Sequence, residues 1–318
     1  MEYKHLQVHK QAVNALSVIE NTDYILSGCA DGRLALSHID GEIINFPKEH
    51  SGSINSIDHV DETIFTGGSL DTIIQWDMVK QTKLNRFRTD SISAQNNDVM
   101  DIKVYGDILM SCGTNCQLNF HDLKNKQGGK PVWSLKHAED ALMTFDYCPQ
   151  TNFVCAGSLD GRLYSYDLRR SDVIIDTIEN EKIDDVSTSI LDVEIYQSYI
   201  LISLENGKVQ LRDLRNMAIV QEIQENRVKH KFTSKLIEDY HSDKKQYLVS
   251  GSETGSLNIW SLERKVKSRS PQIFKTSKTS PSSQAEGAIL SNIGFTRSSN
   301  RLVSSGGDGS IHIWDNVI

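Results

Sequence analysis

The stretch Thr66-Gly67-Gly68-Ser69-Leu70-Asp71-Thr72-Ile73-Ile74-Gln75-Trp76-Asp77 decides the fold. Along it come a pair of small residues, a tight turn bearing Asp, and a short strand-forming run that closes on an aromatic residue and Asp. Two other stretches repeat that order. One is Ala156-Gly157-Ser158-Leu159-Asp160-Gly161 leading to Tyr166-Asp167, and the other is Ser304-Ser305-Gly306-Gly307-Asp308-Gly309 leading to Trp314-Asp315. An Asp-Gly pair between alternating apolar residues is a strong short-range hairpin signal, because such turns need positive φ.

Weaker copies fill the gaps between these three. Ser27-Gly28 with Asp31-Gly32 leads to Ser37-His38, and Ser111-Cys112-Gly113 with Asn115 leads to His121-Asp122. Ser203 with Asn206-Gly207 leads to Arg212-Asp213, and Ser250-Gly251-Ser252 with Gly255 leads to Trp260-Ser261. The anchors fall at 37, 76, 121, 166, 212, 260 and 314, so the spacings are 39, 45, 45, 46, 48 and 54. Seven copies at a near-constant period mark a repeat architecture, in which each unit buries its apolar face only against its neighbours. Upstream of each turn lies a second strand signal with apolar residues three and five apart, as in Val13, Leu16 and Val18 or Val99, Ile102 and Val104. No stretch carries a long helical apolar stripe.

The repeat resembles the WD-repeat family, whose unit of ~40–45 residues carries Gly-His near its start and Trp-Asp at its end. The likeness covers essentially the whole chain, with the His position kept in His9, His50, His137 and His230. It implies an all-β, seven-bladed propeller of four-stranded antiparallel blades, one domain over residues 1–318. In the second repeat it implies a buried hydrogen-bonded tetrad of His50, Thr66, Asp71 and Trp76. The last copy has no outer strand after Asp315, so Glu2–Val8 is expected to supply it and close the ring. Closure of this kind leaves only short, protected strand edges.

Composition narrows the function classes. The chain has 318 residues, 38% of them apolar, and a formal net charge of −8. That apolar fraction is below the usual ~45–50% and suits thin blades better than one thick core. No apolar run approaches the ~18–20 residues of a membrane span, and Met1-Glu2-Tyr3-Lys4-His5 offers no signal region. Five cysteines, Cys29, Cys112, Cys116, Cys148 and Cys155, fit no disulfide framework and read as reduced thiols of the cytoplasm or nucleus. An acidic chain is a poor direct nucleic-acid binder, since phosphate binding rests on a basic surface.

No catalytic constellation stands out. The histidines at the repeat starts read as structural, Cys112 and Cys116 lack a second pair to complete a metal site, and the Gly-rich turns lack the Lys-Ser/Thr and helix of a phosphate loop. The chain therefore reads as a non-enzyme without cofactor, metal or small-molecule substrate. Its expected role is that of a scaffold binding peptide segments of other proteins within a multiprotein complex.

The family resemblance supplies candidate residues. In WD-repeat propellers peptides often dock where loops converge, and the residue after the first apolar position of each inner strand points at the channel mouth. Carried over, that ring is Asn14, Asn55, Met100, Met143, Leu191, Lys235 and Ser291; the plainer reading is that these residues line a water-filled channel. Tyr166-Asp167-Leu168-Arg169 and Arg212-Asp213-Leu214-Arg215 resemble the endings by which some propellers serve as substrate receptors of cullin-based ubiquitin ligases. That reading makes Arg169 and Arg215 adaptor contacts; the plainer one makes them locally paired surface arginines. Partial likenesses to the mitotic-checkpoint and messenger-RNA-export propellers (Asp213–Met217, Cys148-Pro149), to kinase organisers and to the histone-methyltransferase core pull in different directions.

The widest spacing holds six basic residues and no acidic one over 264–280. An outer strand at Gln272–Lys275 is expected there, flanked by loop, with Ser270 and Ser280 before proline as candidate phosphosites. The acidic run from Asp172 to Asp185 is expected to be a solvated connection.

Overall fold

The structure, a computed structural model, describes residues 3–89, 97–125, 129–170, 174–179, 182–183, 186–224, 231–238, 246–252, 256–261, 272–275, 290–296 and 299–315. It is all-β. Seven four-stranded antiparallel sheets form the blades, and the first six run from innermost to outermost strand in chain order. The inner strands are Val13–Val18, Ile54–Val60, Val99–Tyr105, Leu142–Cys148, Ile190–Tyr196, Lys231–Glu238 and Leu290–Thr296. Each packs against the next, and the seventh packs against the first, so the ring is closed.

Closure uses the beginning of the chain. Tyr3–Gln7 pairs antiparallel with Ser310–Trp314 as the outer strand of blade 7. Leu6 is thereby buried with Ile311, Ile313 and Val303 of blade 7 and Ile25 of blade 1. The expected outer strand of blade 6 is present at Gln272–Lys275, paired with Ser256–Ser261. One expectation is corrected: within the acidic run, Ile174–Glu179 is the outer strand of blade 4, paired with Arg162–Asp167. Its Ile-Ile-x-Thr-Ile spacing offers strand-forming residues that outweigh the flanking charge.

Apolar clusters lie between blades rather than at one centre. Leu26, Leu34 and Leu36 of blade 1 pack on Ile54, Ile64 and Trp76 of blade 2. Met110, Leu118 and Phe120 of blade 3 pack on Phe145, Val154 and Tyr166 of blade 4. The small residue of each repeat now has a reason. A Cβ on Gly157 would stand 2.4 Å from Ile190 Cγ2, and one on Gly28 would stand 2.4 Å from Ile54 Cγ2. The second strand must be bare where the next blade's inner strand presses on it.

Three members of the predicted tetrad meet. His50 Nε2 pairs with Thr66 Oγ1 at 2.7 Å, and Trp76 Nε1–H donates to the same oxygen at 2.9 Å. Burial holds the His50 imidazole at about 4, so it is neutral. Asp71 is a correction. Its carboxylate turns toward blade 3 and accepts from Thr89 N–H at 3.0 Å, from the Thr89 hydroxyl, and from Asn97 Nδ2 at 3.1 Å. The cause is the place of Asp71 in the turn: Thr66 pairs with Ile74 at the same spacing as Ala156 with Tyr164, so the hairpin is of equal length, but Asp71 comes one residue later than Asp160, at the position of Gly161 and with a positive φ of 54°.

Candidate functional site: the channel and its two mouths

Every inner strand carries a β-bulge at the same place. The ladder skips one residue between Val13 and Ala15, and the same skip recurs in the other six blades. The extra residues are Asn14, Asn55, Met100, Met143, Leu191, Phe232 and Ser291. A bulge re-aims the inserted side chain out of the sheet. Six of the predicted ring residues, Lys235 among them, line one cavity of about 810 Å³ that runs along the axis; Ser291 holds the bulge position of blade 7.

Lys235 is a correction in register. In blade 6 the skip lies between Lys231 and Thr233, so Phe232 stands at the mouth position and Lys235 three residues deeper. The sixth inner strand begins on a lysine instead of an apolar residue, which removed the mark used to find its start.

The mouth ring is partly tied together. Asn14 Nδ2 donates to Ser53 Oγ at 2.8 Å, Ser53 Oγ–H donates to Asn55 Oδ1 at 2.7 Å, and Asn55 Nδ2 donates to Val99 O at 3.0 Å. Asn292 Nδ2 donates to the carbonyl of Asn14 at 2.5 Å. On the following three blades Met100, Met143 and Leu191 are half-buried and present apolar groups to the cavity.

Below the mouth lies a polar girdle absent from the expectations. The channel-side edge of an inner strand has N–H groups with no ladder partner, and in blades 3 to 6 side chains of the preceding blade accept from them. In an upper tier Ile102 N–H donates to Ser56 Oγ at 3.2 Å, Phe145 N–H to Asp101 Oδ2 at 3.1 Å, Val193 N–H to Thr144 Oγ1 at 3.3 Å and Ser234 N–H to Asp192 Oδ2 at 3.0 Å. In a lower tier Val104 N–H donates to Asp58 Oδ2 at 2.7 Å, Ile195 N–H to Asp146 Oδ2 at 2.7 Å and Leu236 N–H to Glu194 Oε2 at 2.8 Å. The signal was in the sequence as polar residues at alternating inner-strand positions: Ser56 and Asp58, Asp101 and Lys103, Thr144 and Asp146, Asp192 and Glu194.

The girdle crowds negative charge. Burial pushes Asp101 up to about 6 and Glu194 up to about 7, and it raises Asp58 and Asp192 as well. Lys103 Nζ lies 3.0 Å from Asp146 Oδ1. Burial works against its charge, yet Asp146, Asp101 and Asp58 together hold the ammonium above its ordinary range.

The other predicted residues lie elsewhere. Third strands finish at the end where inner strands finish, as the pairing of Tyr196 with Tyr199 and of Tyr199 with Asp213 shows. Arg169 and Arg215 stand at that end, opposite the bulge ring. Arg169 Nε donates to Asp167 Oδ1 at 2.7 Å and its Nη2 to Oδ2 at 2.5 Å; Arg215 forks in the same way onto Asp213 at 3.3 and 3.1 Å. An adaptor carboxylate would have to displace each arginine's own aspartate. Ser270 and Ser280 lie outside the described residues, as does His230.

Burial raises the thiols of Cys112 and Cys155, the latter to about 12. Among the described residues no group of three or more His, Cys, Asp and Glu is placed to hold a metal ion. Nor, among those residues, is any helix long and apolar enough to cross a membrane.

The family profile for the WD domain, G-beta repeat, matches residues 2–36, 129–167 and 282–315. Each match ends at a third strand, so the sequence repeat is staggered by one strand from the blade. Those three stretches match WD repeats, and all seven blades share the propeller fold. The chain is similar to the WD-repeat propellers. Human Protein NEDD1 is 25% identical over 187 residues, which are 57% of this chain and 27% of that protein. The chain thus spans about a quarter of that relative's length. Among solved structures the WD40 β-propeller domain of Doa1 is similar in fold, with a TM-score of 0.75 at 15% identity over 98% of this chain and 95% of that one.

Proposed function

We propose that this WD-repeat chain is a non-catalytic protein-interaction scaffold within a larger multiprotein assembly, taking peptide segments of its partners at the mouth where the inner strands begin. One observation carries the reading: bulges in three consecutive blades aim Met100, Met143 and Leu191 into a single cavity of about 810 Å³. Flexible thioethers and an aliphatic group beside the amides of Asn14 and Asn55 form an adaptable apolar seat with polar groups to orient a backbone. The thiols of Cys29, Cys112 and Cys155, each raised by burial, and the net charge of −8 support a partner set of proteins in the cytoplasm or nucleus, with no nucleic acid, small-molecule substrate or cofactor. Met100→Ser with Met143→Ser tests the seat. Quantitative affinity purification from the native source is expected to lose a defined set of co-eluting proteins in the variant while its melting temperature holds. Retention of the whole set overturns the proposal.

A further inference from the structure

The two mouths differ in chemistry. Where the inner strands begin, the ring is neutral: amides, thioethers and an aliphatic side chain. Where they end, blades 3 to 5 offer an aromatic arc. Tyr105 is 52% exposed and rests edge-on against Tyr147, with ring centroids 5.4 Å apart and planes at 72°. Ile108, 47% exposed, stands beside it at the start of the next strand, and Tyr196 lines the channel itself. An exposed apolar group of this kind at the end of a polar channel marks an interaction surface.

Immediately behind the arc lies the lower tier of the girdle. Asp146 directly precedes Tyr147, and Glu194 stands two residues before Tyr196. In the waist five carboxylates, Asp58, Asp101, Asp146, Asp192 and Glu194, face two ammonium groups, Lys103 and Lys235. Among the described residues of the nearby rim, Arg169, Arg215 and Lys124 are each matched by an aspartate. Backbone N–H groups take up part of the surplus, with Glu194 giving Oε2 to Leu236.

We propose that this second mouth docks a basic segment of a partner protein, seating an Arg or Lys side chain across Tyr105, Tyr147 and Tyr196 with its cationic head toward the channel carboxylates. The aliphatic stem covers the apolar arc, the ring faces attract the cation, and low-dielectric walls focus the negative potential at the exit. An acidic segment would meet like charge. The inference does not depend on the methionine seat, which lies at the opposite end.

Random dodecapeptides displayed on phage and selected against the folded full chain test it, with the enriched peptides labelled and measured by fluorescence anisotropy. The expected peptides carry Arg or Lys next to an apolar residue. Their affinity is expected to fall about ten-fold in Tyr105→Ala and again in Glu194→Gln, to weaken with salt, and to hold in Met100→Ser with Met143→Ser. Tyr105 is exposed, and Gln at 194 keeps an acceptor for Leu236 N–H, so both variants are expected to fold. No enrichment, a neutral or acidic consensus, or binding indifferent to both substitutions overturns the inference. Peptides that respond only to the methionine pair overturn it while leaving the proposed function standing.

Discussion

Thr66→Val probes the logic of the blade most directly. The hydroxyl of Thr66 serves two buried partners at once, His50 Nε2 at 2.7 Å and Trp76 Nε1–H at 2.9 Å. All three residues are at most 2% exposed, so water cannot replace the lost oxygen. Each of the two buried polar groups left unpaired costs about 1–3 kcal/mol, and the added methyl returns ~0.8 kcal/mol, which leaves a loss of about 1–5 kcal/mol. With an unfolding entropy of ~2.1 cal/mol/K per residue, a cooperative unit of this length loses about 1.5 °C per kcal/mol, or roughly 2–8 °C. Thr66→Ser keeps the oxygen and is expected to cost only about 1 kcal/mol for the missing methyl. Urea unfolding at pH 7.5, followed by far-ultraviolet circular dichroism, measures both. A valine variant within about 0.5 kcal/mol of the serine variant would refute the claim that the shared hydroxyl ties strand to loop.

Three further outcomes are expected. Gly157→Ala should lose about 1–3 kcal/mol in the same urea assay, because its Cβ would press on Ile190; a neutral result would show that the blades tolerate more separation than their packing implies. Removing residues 1–8 strips the Tyr3–Gln7 ladder and the Leu6 contact from blade 7 and should lower the melting temperature by roughly 5 °C or more, whereas an unchanged value would sink the closure argument. The third concerns pH. Glu194 titrates at about 7 when folded, above the 4.5 of a free glutamate, so the folded chain binds its proton more tightly than the unfolded one. The cost of ionising it is absent below 4.5, grows through the window up to 7 and is full above that. Glu194→Gln should therefore stabilise at pH 8 and be neutral at pH 4.5, and a pH-independent difference would contradict the buried-carboxylate account. His50 and His121 act in the opposite sense: burial holds each at about 4, so their contribution is lost as pH falls from 6.5 toward 4.

Local chemistry made much of the molecule legible. Asp-Gly and Asn-Gly turns, alternating strands and the recurring aromatic-Asp close are short-range features, set by residues within one unit. They place the strands of each blade, and even Gln272–Lys275 could be located inside a long basic stretch because Ile273 and Phe274 stood between loop-like flanks. Most of the mouth ring was also readable, because six inner strands open on an apolar residue that marks the bulge. Blade 6 opens on Lys231, and there the reading slipped to Lys235.

What the sequence by itself determined is the unit and its number: seven copies, each with its own turn, small-residue pair and closing aromatic, because these are decided within about 45 residues of chain. Only the tertiary structure decided how one unit meets the next. The girdle pairs residues 42 to 49 apart, such as Asp58 with Val104 and Asp146 with Ile195, and no local signal tells a carboxylate which neighbouring strand edge it will face. Asp71 shows the same limit on a smaller scale, since its place one residue later in the turn than Asp160 sets it against Thr89 and Asn97 instead of His50. Partners across a blade interface are fixed by ring closure, which brings together groups whose separation along the chain is the repeat length itself.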